Sequence, residues 1–123
     1  MNNKELNAFL TNKTPHAIEL LNHFINEYNS IGALDIRITK SMIAFNRDRG
    51  IAYVIQIGKE FIDIVLPFNK PMEDNMCFRK IKQVPGTSQY NHHLRLYFRD
   101  DVNEEVKHYM ELAYQNGDSS RYL

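Results

Sequence analysis

The stretch from Thr39 to Leu66 constrains this chain most. Three apolar segments, Met42–Phe45, Ile51–Ile57 and Phe61–Leu66, are separated by Asn46-Arg47-Asp48-Arg49-Gly50 and by Gly58-Lys59-Glu60. The segments are rich in Ile, Val, Phe and Tyr, which suit a pleated, half-buried surface. Each junction sets Gly beside polar residues, as tight hairpin loops with positive φ require. The pattern predicts an antiparallel meander in the middle of the molecule. It says much about fold and almost nothing about chemistry.

The flanking segments must cover that meander. Lys4–Leu10 predicts a short helix with Leu6, Phe9 and Leu10 on one side. Thr14-Pro15 opens a second one, because Thr caps well and Pro is favoured at the first helical position. Ala17, Ile18, Leu21, Phe24, Ile25 and Tyr28 then recur at three- and four-residue steps as far as Asn29–Gly32, about four amphipathic turns. Leu34-Asp35-Ile36-Arg37-Ile38 alternates as a strand does, with Asp35 and Arg37 outward. Pro67 and Pro71 are expected to end the strand run, since proline cannot donate to a ladder. Met72–Phe78 reads as an irregular crossing, and Phe78–Val84 as an edge strand with mixed faces. After the Pro85-Gly86-Thr87-Ser88 turn, His92–Phe98 alternates again. His92, Leu94, Leu96 and Phe98 fall on one face, and His93, Arg95 and Tyr97 on the other. Asp101-Val102-Asn103-Glu104 has capping-box spacing, with Asp101 in the N-cap role. Val102, Val106, Tyr109, Met110 and Ala113 form the next helical stripe, which Asn116-Gly117 stops. The expected fold class is α+β: an antiparallel β-meander sheet flanked by an N-terminal and a C-terminal helix packed on one face.

At 123 residues the chain predicts a single domain over 1–123, with its core over about 9–116 and a frayed tail over 118–123. Apolar residues at 43% and charged ones at 24% argue against intrinsic disorder. Formal charge is zero, 15 basic against 15 acidic, so no overall field calls for nucleic acid or a membrane. The distribution is uneven. Residues 71–99 carry five basic and two acidic groups, whereas 100–123 carry two and six. The lone Cys77 excludes an internal disulfide, and neither a signal segment nor a membrane-spanning run is visible. The expected compartment is the cytoplasm, with no membrane partner.

Three features together resemble the domain-of-unknown-function family 5655, a group of small bacterial domains. The first is Lys13-Thr14-Pro15-His16-Ala17-Ile18-Glu19-Leu20, at the opening of the long helix. The second is Thr39-Lys40-Ser41-Met42-Ile43-Ala44-Phe45, similar to that family's Thr-Lys-x-x-Ile-Ala-Phe stretch before its first hairpin. The third is the His92/His93 strand followed by Asp100–Ala113 and Tyr114. The resemblance spans roughly residues 9–116. It implies a fold and a bacterial source; some members are joined to other, nuclease-like domains. It transfers no catalytic residue.

The chemistry-bearing residues each have a plain reading beside the functional one. Adjacent strand residues point to opposite faces, so His92 and His93 are not expected to chelate one metal together. Neither metal nor cofactor is expected, because no ligand spacing is present. Lys40, near Arg37 and Thr39, is either an anion ligand or a solvated edge guard. Cys77, near Arg79 and Lys80, is reactive only if those charges lower its pKa and a histidine reaches it. The hairpin tip Arg47-Asp48-Arg49 reads as solvated. The strongest functional hint is the set Arg79, Lys80 and Lys82 with Arg95 and Arg99 on the next strand. There Tyr90 or Tyr97 is placed to stack on an unpaired base. Against it stand the neutral total charge and the usefulness of lysines as aggregation guards. The leading expectation is a non-enzymatic accessory or binding module with Lys40, Arg79, Lys80, Lys82, His92, His93 and Arg95 as candidate binding residues. Its partner would be nucleic acid or an acidic protein. The alternatives are a self-associating homodimer and, last, an enzyme using His92, His93 or Cys77.

Overall fold

The computed structural model describes residues 3–118; most of the tail expected after Gly117 lies outside them. The order is α1 (Asn3–Phe9), α2 (Pro15–Ile31), β1 (Asp35–Ile38), β2 (Ile43–Asn46), β3 (Gly50–Ile57), β4 (Ile62–Phe68), β5 (Lys80–Gln83), β6 (Tyr90–Leu96) and α3 (Glu104–Asn116), with a 3-10 turn at Arg99–Asp101. All strands pair antiparallel in the order β1-β2-β3-β4-β6-β5. The α+β expectation holds. The meander, however, covers only β1–β4. The last hairpin is laid down in reverse, so that β6 pairs with β4 and β5 becomes the outer strand.

Hydrophobic alternation explains that order. β6 buries His92, Leu94 and Leu96 on one face and lies against Leu66, Ile64 and Ile62 of β4. β5 offers only Ile81, paired with His92, between exposed lysines. The strand with three inward groups takes the central place and the charged one takes the edge.

The helices pack on the face that bears these residues. Phe24 and Tyr28 of α2 meet Phe45 of β2 at ring separations of 5.4 and 5.7 Å, and all three rings are fully buried. Truncating such a ring costs about 3–5 kcal/mol. The Tyr28 hydroxyl donates to the Met110 carbonyl of α3 at 2.9 Å, which ties the two helices together. Burial raises its pKa far above the ordinary tyrosine value. Thr14 caps α2 as expected, accepting from the Ala17 N–H at 3.1 Å. The α3 cap is Asn103, whose Oδ1 accepts from Val106 N–H at 2.9 Å, not Asp101. Asp101 instead accepts from the N–H groups of Tyr97 and Phe98 at 2.8 and 2.9 Å. The intervening 3-10 turn shifts the helix start by two residues.

Three further expectations change. Gly50 and Gly58 do not lie in the left-handed region; Gly86, at φ 76°, is the only described glycine that does. They are glycines because of close approach. A Cβ at Gly50 would strike the Tyr53 hydroxyl, and one at Gly58 would lie 2.6 Å from the Phe61 ring. Pro67 does not end β4. It pairs with Asn91 of β6, past the last β4 residue paired with β3, so no ladder bond is forfeited on that side. The β2–β3 hairpin is not simply solvated. Arg47 lies 4.1 Å over the Tyr114 ring and donates to the Tyr114 carbonyl at 3.0 Å, while Asp48 N–H donates to Gly117 O at 2.9 Å. The Tyr114 hydroxyl reaches the Ala33 carbonyl at 2.9 Å, so one side chain joins α3, the hairpin and the end of α2.

Candidate functional site

With the helices on one side, the other face of the sheet is left uncovered. Strand alternation places a ladder there across four strands: Tyr53 opposite Val65, Val65 opposite His93, and His93 opposite Lys80. One step along, Gln56, Asp63 and Arg95 are opposite one another. The β3–β4 register slips between Val54 and Gln56, a bulge that turns Ile55 outward, where it is 37% exposed. An open concavity of about 390 Å³ results, lined by Ile55, Gln56, Asp63, Arg79, Lys80, His93, Leu94 and Arg95.

Its electrostatics are set by one neutralised acid among several cations. Arg95 grips Asp63 through Nε–Oδ1 at 2.6 Å and Nη2–Oδ2 at 2.9 Å, a bidentate arrangement with strong charge-assisted bonds. These bonds hold the Arg95 pKa well above its ordinary value. The same guanidinium lies 3.7 Å over the Phe61 ring. Arg79, anchored by its backbone N–H to His93 O at 2.7 Å, reaches Asp63 at 3.8 Å with its side chain still 55% exposed. Lys80 and Lys82 are exposed, and neither makes an ion pair within 4.0 Å among the described residues. The His93 pKa is lowered by burial first and then by Lys80, with Asp63 opposing. The lysine field thus reaches the imidazole.

Of the seven candidate binding residues, Arg79, Lys80, His93 and Arg95 line the concavity and Lys82 follows Lys80 along β5. Two lie elsewhere. His92 faces the helices, 0% exposed, where its Nε2 accepts from Met72 N–H at 2.9 Å and its Nδ1–H donates to Tyr90 O at 3.0 Å. That pair of bonds fixes the neutral tautomer, and burial lowers the pKa. Lys40 sits in the β1–β2 turn beside Glu5 and Phe9 of α1, with β3 and β4 between that hairpin and the basic strands. Arg99 also leaves the set, pairing with Glu19 of α2 at 3.4 Å. Tyr90 and Tyr97 part as well, since Tyr90 shares the parity of buried His92 and Tyr97 that of His93.

Cys77 packs against the core, and burial followed by the Glu105 charge pushes its thiol up to about 12. The lowering that Arg79 and Lys80 would give an exposed thiol does not occur, because Cys77 is half-buried and the charge acting on it is that of Glu105. Among the described residues no group of three His, Cys, Asp or Glu could hold a metal ion, and no helix is long and apolar enough to cross a membrane. Sequence reasoning missed Phe61 and Asp63. The alternation of Phe61, Asp63 and Val65 against Ile62, Ile64 and Leu66 was the available signal.

The architecture defines a small α+β domain, helix-covered on one side of an antiparallel sheet and basic at one end of the other. The chain belongs to the family described as Domain of unknown function (DUF5655), whose model matches residues 7–117. No curated protein and no solved structure matches it.

Proposed function

We propose that this domain is a non-enzymatic binding module that presents the uncovered faces of β5 and β6 to an anionic partner. One observation carries the reading. Arg79 and Lys80 line the concavity as exposed cations and Lys82 continues the row along β5, while Asp63, the acid within it, is already held by Arg95. Edge lysines alone would discourage sheet pairing. An acid gripped by the inner Arg95 leaves Lys80 and Lys82, and the exposed part of Arg79, to a ligand.

The test is a salt-dependent fluorescence titration against labelled nucleic acid. Each neutralised phosphate contributes about −0.9 to the slope of log affinity against log salt for duplex DNA. The Arg79→Ala, Lys80→Ala, Lys82→Ala triple variant is expected to lose about three such contributions. An unchanged slope and affinity would remove the reading.

Self-association is the second reading. The outer edge of β5 pairs with no strand among the described residues, and two copies meeting there across a two-fold axis would extend the sheet. It ranks second because Lys80 and Lys82 of both copies would approach one another. A strictly monomeric mass in light scattering over a wide concentration range would exclude it.

A further inference from the structure

Resting on the basic-face reading above, we propose that its partner is a single-stranded nucleic acid. Phosphates would lie on Arg79, Lys80 and Lys82, and one unpaired base on Tyr97. The outward residues of β6 and its continuation, Asn91, His93, Arg95 and Tyr97, form a strip about 20 Å long at ~3.3 Å per residue. One end is cationic, because Lys82 lies opposite Asn91 and Lys80 opposite His93. The other end is aromatic. Phe61 and Tyr97 meet edge to face with centroids 6.0 Å apart, and Tyr97 is 44% exposed.

Tyr97 is held in place before any ligand arrives. Its N–H donates to Asp101 Oδ2 at 2.8 Å, its carbonyl accepts from His16 Nε2 at 2.6 Å, and its ring meets the Phe61 ring edge to face. Arg95 covers the Phe61 face, which leaves Tyr97 as the accessible ring at the aromatic end. A fixed, exposed ring at one end of an open strip and solvated lysines at the other suit a polymer with a charged backbone and free planar groups. A duplex keeps its bases stacked inside and has none to offer. An acidic peptide satisfies the charges and leaves the ring unused.

The experiment compares wild type, Tyr97→Leu, Tyr97→Phe and the Lys80→Ala, Lys82→Ala double variant. Ligands are labelled single-stranded RNA and DNA, the matching duplex, and polyglutamate. Circular dichroism and thermal melting confirm that each variant is folded. Loss of one stacked base weakens binding by about 5- to 150-fold. Tyr97→Leu is expected to lose that much for single strands only, with an unchanged salt slope, and Tyr97→Phe to restore it. The lysine variant is expected to weaken every anionic ligand and flatten the slope. If the lysines matter and Tyr97→Leu does not, this inference fails and the basic-face reading stands. Tighter binding of duplex or polyglutamate than of single strands overturns it likewise. If wild type binds no polyanion at low salt, both fall.

Discussion

Replacing His92 with Phe separates packing from hydrogen bonding at a fully buried polar side chain. The imidazole touches Phe68 and Phe78 edge to face, at 4.9 and 5.0 Å, and a phenyl ring preserves both contacts. The substitution leaves Met72 N–H without its acceptor and Tyr90 O without its donor. A buried group deprived of its partner costs about 1–3 kcal/mol, so His92→Phe is expected to lose roughly 2 kcal/mol in urea unfolding near pH 7.5. The loss should depend on pH. Burial favours the neutral ring, so His92 titrates lower in the folded protein than its ordinary ~6.5 in the unfolded chain. Its contribution is therefore complete above about pH 6.5 and disappears as the pH falls through the folded value. The gap between wild type and variant should be widest near neutrality and narrow as the pH falls below the ordinary histidine value. His93, also lowered, is present in both proteins and largely cancels from the difference. A gap that is constant with pH, or absent near pH 7.5, would refute this account of how Met72 and its neighbours are held.

Three other outcomes follow from contacts described above. Gly117→Ala drives a Cβ into the Ile51 side chain and to 3.1 Å from Arg47 Cβ; overpacking of this kind costs about 1–3 kcal/mol, read as a lowered urea midpoint. Asn103→Ala should lose about 1 kcal/mol through the missing cap, whereas Asp101→Ala should disturb the Tyr97–Phe98 backbone without fraying α3, which amide exchange over residues 104–108 distinguishes. Cys77 should alkylate about a thousandfold more slowly than an ordinary thiol near pH 8, since its pKa rises from 9.0 to about 12; labelling at the rate of glutathione would contradict the Glu105 and burial argument.

Features that depend on residues close in sequence were legible. Thr14-Pro15, the stripe from Ala17 to Tyr28 and the Asn116-Gly117 stop each report on one turn of helix. The alternation from His92 to Tyr97 separated inward His92, Leu94 and Leu96 from outward His93 and Arg95. Features that depend on competition between distant segments were not. Nothing local to Lys80–Gln83 or Tyr90–Leu96 says which will lie against β4; the answer is the total of inward apolar groups on each. Arg47 finds Tyr114 67 residues away, so a hairpin tip with ordinary solvated composition gave no warning of its contact. Lys40 and the basic strands are similar in charge, but only the sheet order shows that β3 and β4 separate its hairpin from them. Asp101 and Asn103 are both competent caps, and the 3-10 turn between Phe98 and Val102 decided between them.

The reversed final hairpin sets a schedule for synthesis. As the chain emerges, α2 and β1–β4 can assemble from residues 15–68 by short-range pairing, with Phe24, Tyr28 and Phe45 already in contact. One side of β4 then has no neighbour until Tyr90–Leu96 has been made, because the next strand in sequence is not its neighbour in space. During those 21 intervening residues the nascent protein carries an unpaired hydrophobic edge, the surface most prone to mispairing with another chain. Lys80 and Lys82 emerge within that interval, so the charged strand arrives at the vulnerable moment before its apolar partner does.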